Sequence, residues 1–296
     1  MTGEEAESLL AEDAQGAEVI SVEVRDERWL ARLADGRMAW FPSNAEAAAG
    51  LARERRILDL IEARCAFRAP RVRYVSSAGW DVRDPVPGNV DATALYHRAM
   101  ADEGLARALG ARLGEILADQ HAIAAQDLRG WLPDRIGWPL PRAGLDENLP
   151  KVTADATLLS RCGRLLDAYF DSDAPAQDQV LVHGDLGFHN LALSPGTDRI
   201  AGVFDYDGAV FADRNLDFRY LLFDRATTTM LDAAIAAYEP LSGARIDRNR
   251  VALFNAASAV GFLAFRDGHA PDEPWCGRTL LEDLAWCDLA IARAGF

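Results

Sequence analysis

Residues 183–207 constrain this chain of 296 residues more than any other stretch. They begin His183-Gly184-Asp185-Leu186-Gly187-Phe188-His189-Asn190 and end Ile200-Ala201-Gly202-Val203-Phe204-Asp205-Tyr206-Asp207. The apolar run Val180-Leu181-Val182 stops at a polar, glycine-containing loop, as a short buried strand does when it enters a turn. Residues 191–193 and 200–204 are two more short apolar runs, and Ser194-Pro195-Gly196-Thr197 between them is a turn signal. Two strands joined by a tight turn make a hairpin, and a hairpin brings its two open ends together. Asn190 stands just before the first strand and Asp205 just after the second, so these residues, 15 apart in sequence, are expected as neighbours in space. Asp185 lies on the loop that leads into the same place. Singly, an Asp or Asn in a turn is ordinarily a backbone cap; the ordered set of three points to a site.

Two carboxylates and an amide suit a hard cation. Mg²⁺ takes oxygen ligands, usually one or two from protein, with phosphate and water completing the shell. In that division of labour Asn190 and Asp205 hold the metal and Asp185 accepts a proton, which is the layout of kinase-type phosphoryl transfer. The composite of H-G-D, an Asn five residues after the Asp, and an apolar strand ending in Asp-aromatic-acidic resembles the aminoglycoside phosphotransferase family, small-molecule kinases with a protein-kinase-like fold. Gly208, Asp213 and Asp217 also look like that family's later G…D…D segment. The resemblance spans most of the chain. It implies an α+β, protein-kinase-like, two-lobed fold, with a small antiparallel-sheet lobe over 1–84 and a mainly helical lobe over 85–296. It also implies ATP or GTP as co-substrate, Mg²⁺, and a small-molecule acceptor hydroxyl. His183 is expected to brace the loop, and Asp213 and Asp217 to bond loop backbone.

The net charge of −15 argues against nucleic acid, whose phosphates demand basic patches. It is compatible with a cationic acceptor, because summed negative potential concentrates cations, and equally with solubility alone. Cys65, Cys162, Cys276 and Cys287 lack metal-ligand spacing and read as reduced thiols of a cytoplasmic protein. The start, MTGEEAESLL, has no basic region or apolar core of a signal peptide. No run has the length to span a membrane. Oligomeric state is not legible.

Along the chain, residues 1–17 read as a frayed arm or short helix. Strands are expected over 18–24, 28–33 and 37–41, with Asp35-Gly36 as a hairpin turn. A helix over 44–63 comes next, opened by a Ser43–Glu46 capping box. Strands over 71–75 and 80–83 complete a five-stranded antiparallel sheet. Asp84-Pro85-Val86-Pro87-Gly88 breaks the pattern as a linker. In the family this is the hinge, where backbone groups at Asp84 and Val86 meet the adenine edge. Helices are expected over 105–121, 154–170, 216–223, 230–238, 251–265 and 280–294, with 126–150 rich in loops. His121 reads as a buried helical histidine bonded to a carbonyl.

One expected part is missing. Kinase chemistry places a cation near the α- and β-phosphates, a lysine on the third strand paired with a glutamate on the next helix. Glu54 shares a helical stripe with Leu51, Leu58 and Ile61 and is the candidate acid. Aligned with the family, Trp40 stands where the lysine belongs. The first substitute is Arg37, although alternation places it on the sheet face opposite Trp40 unless a bulge shifts the register. Two readings are open: an active kinase with a rewired phosphate site, or a degenerate kinase-like protein that binds nucleotide or a partner without turnover.

Overall fold

The structure is a computed structural model that describes residues 1–13, 15–25, 27–88, 91–139, 141–222, 227–275 and 277–296. Asp26 of the first turn, Phe223 at the end of an expected helix, and Cys276 lie outside these. In chain order the elements are α1 (Gly3–Glu12), β1 (Val19–Arg25), β2 (Arg28–Leu33), β3 (Met38–Pro42), α2 (Ala45–Arg64), β4 (Arg71–Val75) and β5 (Asp81–Asp84). Next come α3 (Ala92–Ala101), α4 (Glu103–His121), α5 (Ala125–Leu128), α6 (Arg142–Val152), α7 (Ala156–Phe170), β6 (Gln179–Val182), β7 (Leu191–Leu193), β8 (Ile200–Val203) and β9 (Val210–Asp213). The chain closes with α8 (Thr229–Ser242), α9 (Arg248–Ala264) and α10 (Leu280–Arg293). The described residues form two compact units, one of Met1–His97, Gly130–Leu132 and Asp185–Ala209, the other of Arg98–Arg129, Pro133–Gly184 and Val210–Phe296.

In the first unit the strands form a five-stranded sheet in the order β1-β2-β3-β5-β4, antiparallel throughout. Side-chain alternation gives the sheet two distinct faces. Ala31, Leu33, Ala39, Phe41 and Val82 share a buried cluster with Ala6 and Leu10 of α1. The N-terminal segment is therefore a docked helix, and Thr2 and Glu5 close its start with a reciprocal capping box. The other face carries Arg28, Leu30, Trp40, Asp81 and Arg83, because Leu30 and Asp81 flank Trp40 in register. Helix α2 starts at Asn44, whose side chain accepts from the Ala47 N–H. The expected box at Ser43 does not form; the Ser43 hydroxyl donates to the Glu27 carbonyl instead.

The hairpin of β7 and β8 belongs to the same unit, with Leu191 opposite Val203 and Gly196 at φ 71° in its turn. The segment after β5 lies on it. A Cβ on Gly88 would stand 2.2 Å from the Leu193 carbonyl oxygen, and one on Gly202 would stand 2.8 Å from Val86 Cγ1. Linker and hairpin thus meet backbone to backbone.

In the second unit α4 crosses α8 closely. Gly110 and Gly114 face the Met230 and Ala234 carbonyls, where a Cβ would stand 2.2 Å away. Helices α6, α7, α9 and α10 share an apolar core that includes Leu145, Leu165, Val260, Trp286 and Ile291. Two stretches differ from expectation. Residues 214–221 form two short 3₁₀ turns rather than a helix. There Asp213 caps the Asn215 N–H, and the buried Arg219 guanidinium donates to the Leu216 and Gly184 carbonyls. Conversely α6 lies inside the loop-rich stretch; Pro150 falls near its end, where a missing N–H opens only the last turn. Among the described residues no helix is long and apolar enough to cross a membrane.

Candidate active site

Strand β6 ends at Val182, and Asp217 fixes the two residues after it: its carboxylate accepts the His183 and Gly184 N–H groups at 2.9 and 3.0 Å. Gln120 donates to the same carboxylate at 3.1 Å. Asp217 thus bonds loop backbone, as its place in the sequence predicts. Burial raises its pKa, but bonds from His121 and the His183 N–H outweigh this and hold it below the usual range. His121 differs from expectation: it bonds the Tyr238 hydroxyl at 2.9 Å and Asp217 at 3.3 Å, not a carbonyl.

Asp185 comes next in the chain, and three residues of the hairpin region gather with it. Asn190 is 2% exposed, and its amide nitrogen donates to the Asp185 carbonyl at 2.8 Å and to Asp185 Oδ2 at 3.1 Å. The Phe204 N–H bonds the Asn190 carbonyl at 3.1 Å, so Asp205 stands beside Asn190 at the open end of the hairpin. His189 Nε2 lies 2.9 Å from Asp185 Oδ2, and this bond raises the pKa of the imidazole. His189 was not legible as a partner of Asp185: the stretch 188–190 is a 3₁₀ turn, whose geometry the apolar pattern does not encode.

The residues present fit Mg²⁺. Asp205 is pushed up to about 7, first by burial, then by the charges of Asp207, Glu54 and Asp185, against the opposing pull of Arg28. Among the described residues no group of three or more His, Cys, Asp or Glu is set to hold a metal. A pair of protein oxygens, from Asn190 and Asp205, is what Mg²⁺ needs when phosphate supplies the rest.

Glu54 is buried on α2 and paired, but not with Arg37. Strands β2 and β3 run in register without a bulge, so Arg37 stays on the far face, where Asp35 and Gln15 hold its guanidinium. The partners come from neighbouring strands. Arg83 Nη1 lies 2.9 Å from Glu54 Oε1, and Arg28 Nη1 lies 3.7 Å from Glu54 Oε2. The Trp40 ring lies beneath both guanidiniums, 5.1 Å from that of Arg28 and 5.5 Å from that of Arg83. Asp207, two residues beyond Asp205, accepts from Arg28 Nη2 at 2.5 Å. At the linker, the Asp84 carboxylate bonds Arg73 Nε at 2.6 Å, and Val86 is buried against the hairpin.

A small antiparallel sheet, an interior helix glutamate paired with arginine, an Asp–Asn loop and a hairpin Asp together define a kinase-like fold of the phosphotransferase kind. The profile of the phosphotransferase enzyme family (APH) matches residues 10–254, and the chain belongs to that family. Among solved structures the chain is similar to the GDP complex of wild-type aminoglycoside 2'-phosphotransferase-IIIa, with TM-score 0.67, 17% identity and all of both chains covered. It is also similar to the macrolide 2'-phosphotransferase MphH of Brachybacterium faecium, with TM-score 0.61, 20% identity and 98% of each chain covered. A third is the streptomycin–ATP–APH(2")-IIa ternary complex, with TM-score 0.62, 14% identity, and 89% of this chain and 90% of the other covered. At these identities the likeness is one of fold. No curated protein matches the chain by sequence.

Proposed function

We propose that this protein transfers the γ-phosphoryl group of ATP or GTP to a hydroxyl of a small molecule. The observation that carries this reading is the gathering of Asp185, Asn190 and Asp205 at the open end of one hairpin. Asp185 orients the acceptor hydroxyl and takes its proton. The acceptor oxygen then bonds to the γ-phosphorus, while the bridging bond breaks and its electron pair leaves with the nucleoside diphosphate. Asn190 and Asp205 would hold Mg²⁺, which supplies charge neutralisation at the phosphates. The Asn190 amide and His189 hold the Asp185 carboxylate in one orientation, which such positioning chemistry requires. The backbone at Asp84 and Val86 meets the nucleobase. Arg37 has no part in nucleotide binding, because its guanidinium is held on the other face of the sheet.

The acceptor is proposed to be cationic, on the ground of the net charge of −15. The similar solved structures include enzymes named for aminoglycosides and for macrolides, and complexes with GDP and with ATP. Both acceptor classes and both nucleotides therefore belong in the test. The degenerate reading rested on Trp40; Arg83 and Arg28 supply the charge that Trp40 lacks, and this favours turnover.

The experiment is nucleoside diphosphate release by purified protein with Mg²⁺, ATP or GTP, and a panel of aminoglycosides, macrolides, amino alcohols and sugars. Acceptor-dependent release that disappears in Asp185→Ala, with nucleotide binding retained, is the expected result. Release that persists at the wild-type rate in Asp185→Ala would remove Asp185 as the base. No release with any acceptor would favour the degenerate reading.

A further inference from the structure

The proposed reaction needs a positive charge on the nucleotide phosphates, and strand β3 offers only Trp40. A cation suited to that work has two structural marks: it pairs with the buried helix acid, and it reaches the segment that carries the metal ligand. Arg83 has the first mark alone. All three of its guanidinium nitrogens hold carboxylates, Nε and Nη2 on Asp81 at 2.6 and 3.0 Å and Nη1 on Glu54 at 2.9 Å. Its side chain is 3% exposed, so it is a fixed internal neutraliser of Glu54 and Asp81. Arg28 has both marks. Its Nη1 is 3.7 Å from Glu54, and its Nη2 is 2.5 Å from Asp207, two residues beyond Asp205.

We propose that Arg28 is the residue that binds the nucleotide phosphates, exchanging Asp207 for phosphate oxygens when the nucleotide enters. The inference rests on the phosphotransferase reading above. The exchange is physically balanced. The Asp207 side chain is 39% exposed, so water replaces the guanidinium it gives up. A triphosphate carries more charge than a carboxylate, and the planar guanidinium fork grips phosphate in two places. Arg83 holds Glu54 Oε1 at 2.9 Å, and Arg28 is the looser partner at 3.7 Å from Oε2, beyond hydrogen-bond reach. The Arg28 guanidinium carbon lies over the Trp40 ring, 5.1 Å from its centroid, so the residue at the lysine position packs against the arginine proposed in its place. Arg28 is also the first residue of β2, opposite Arg25 in register.

The test is calorimetric titration of wild type, Arg28→Ala and Arg28→Lys with Mg·ATP and Mg·GTP. Adenosine and guanosine serve as phosphate-free probes, and thermal melting of each ligand-free variant reports on folding. Arg28→Ala is expected to weaken triphosphate binding about 10- to 100-fold, as loss of hydrogen bonds to a charged group does, with nucleoside affinity unchanged. Arg28→Lys recovers part of the loss. A purely structural role would move triphosphate and nucleoside affinity together, or neither, and either pattern overturns the proposal. If Arg28→Ala fails to fold, Arg28→Lys decides alone: a several-fold loss confined to triphosphate supports the proposal, and unchanged triphosphate affinity overturns it. Wild type that binds no triphosphate sinks both this inference and the phosphotransferase reading. Wild type that binds and transfers, beside an unaffected Arg28→Ala, sinks this inference only.

Discussion

At Asp205 the backbone holds φ at 70°, a left-handed conformation that side-chain-bearing residues adopt at a cost. The same residue is a carboxylate held up to about 7 by burial and by neighbouring acids. Asn adopts the left-handed region as Asp does but carries no charge, so Asp205→Asn is expected to stabilise the ligand-free protein at pH 8 by on the order of 1 kcal/mol. The same change should abolish Mg²⁺-dependent nucleotide binding. Melting curves with and without Mg·ATP check both halves; loss of thermal stability in the ligand-free variant would contradict the argument. The pH dependence has a definite sign. Between the ordinary carboxylate value of 3.8 and about 7, the folded chain keeps a proton on Asp205 that the unfolded chain releases. This contribution therefore destabilises progressively as pH rises through that window and levels off above it. Asp205→Asn should flatten that part of the melting-temperature profile.

Helices α4 and α8 approach so closely that two glycines are needed in one of them. Gly110 and Gly114 are four residues apart on one face of α4, and a methyl group at either would meet a carbonyl of α8. Gly114→Ala is expected to cost about 1–3 kcal/mol by overpacking against backbone that cannot rotate away. Denaturant unfolding measures this, and an unchanged midpoint would show that the helices move apart without cost. Most elements were legible because each obeys one rule: alternation in β2 and β3, an Asp-Gly turn between them, and a 3.6-residue stripe in α2. The gathering of Asp185, Asn190 and Asp205 was legible because a hairpin converts sequence order into proximity. Arg28 and Arg83 escaped notice for a different reason. Their nearness to Glu54 depends on diagonal neighbours in register across three strands, and alternation within one strand does not supply that. With β2 and β3 paired through Asp35-Gly36, Leu30 falls opposite Trp40, and Arg28 could have been found one step further along. The 3₁₀ turns over 214–221 were hidden because their apolar spacing imitates a helix, while the polar side chain of Asp213 caps the first of them.

For the whole molecule, the charge of −15 is a long-range feature that exposed loops and helices share. If the acceptor is cationic, its kcat/KM should fall as ionic strength rises from low to physiological, because salt screens the attraction over about 10 Å. An uncharged acceptor should show no such slope. Steady-state kinetics at two salt concentrations with one cationic and one neutral acceptor decide this, and a flat response for the cationic one removes charge steering from the account.

The replacement of lysine by Trp40 also changes which reagents can mark this protein. Lys151, the only lysine in the chain, lies on α6 and is bound to Glu147 and Asp267. Amine-directed nucleotide analogues, which form their bond with a lysine side chain, would therefore find their lysine on α6 and none on the five-stranded sheet. Dicarbonyl reagents condense with guanidinium groups instead. Arg83 has three carboxylate contacts and a side chain 3% exposed, whereas Arg28, 9% exposed, shares a guanidinium nitrogen with the half-exposed Asp207. Covalent chemistry designed for the usual kinase lysine is thus blind to this enzyme, and a nucleotide carrying an arginine-reactive warhead would discriminate it from lysine-bearing kinases.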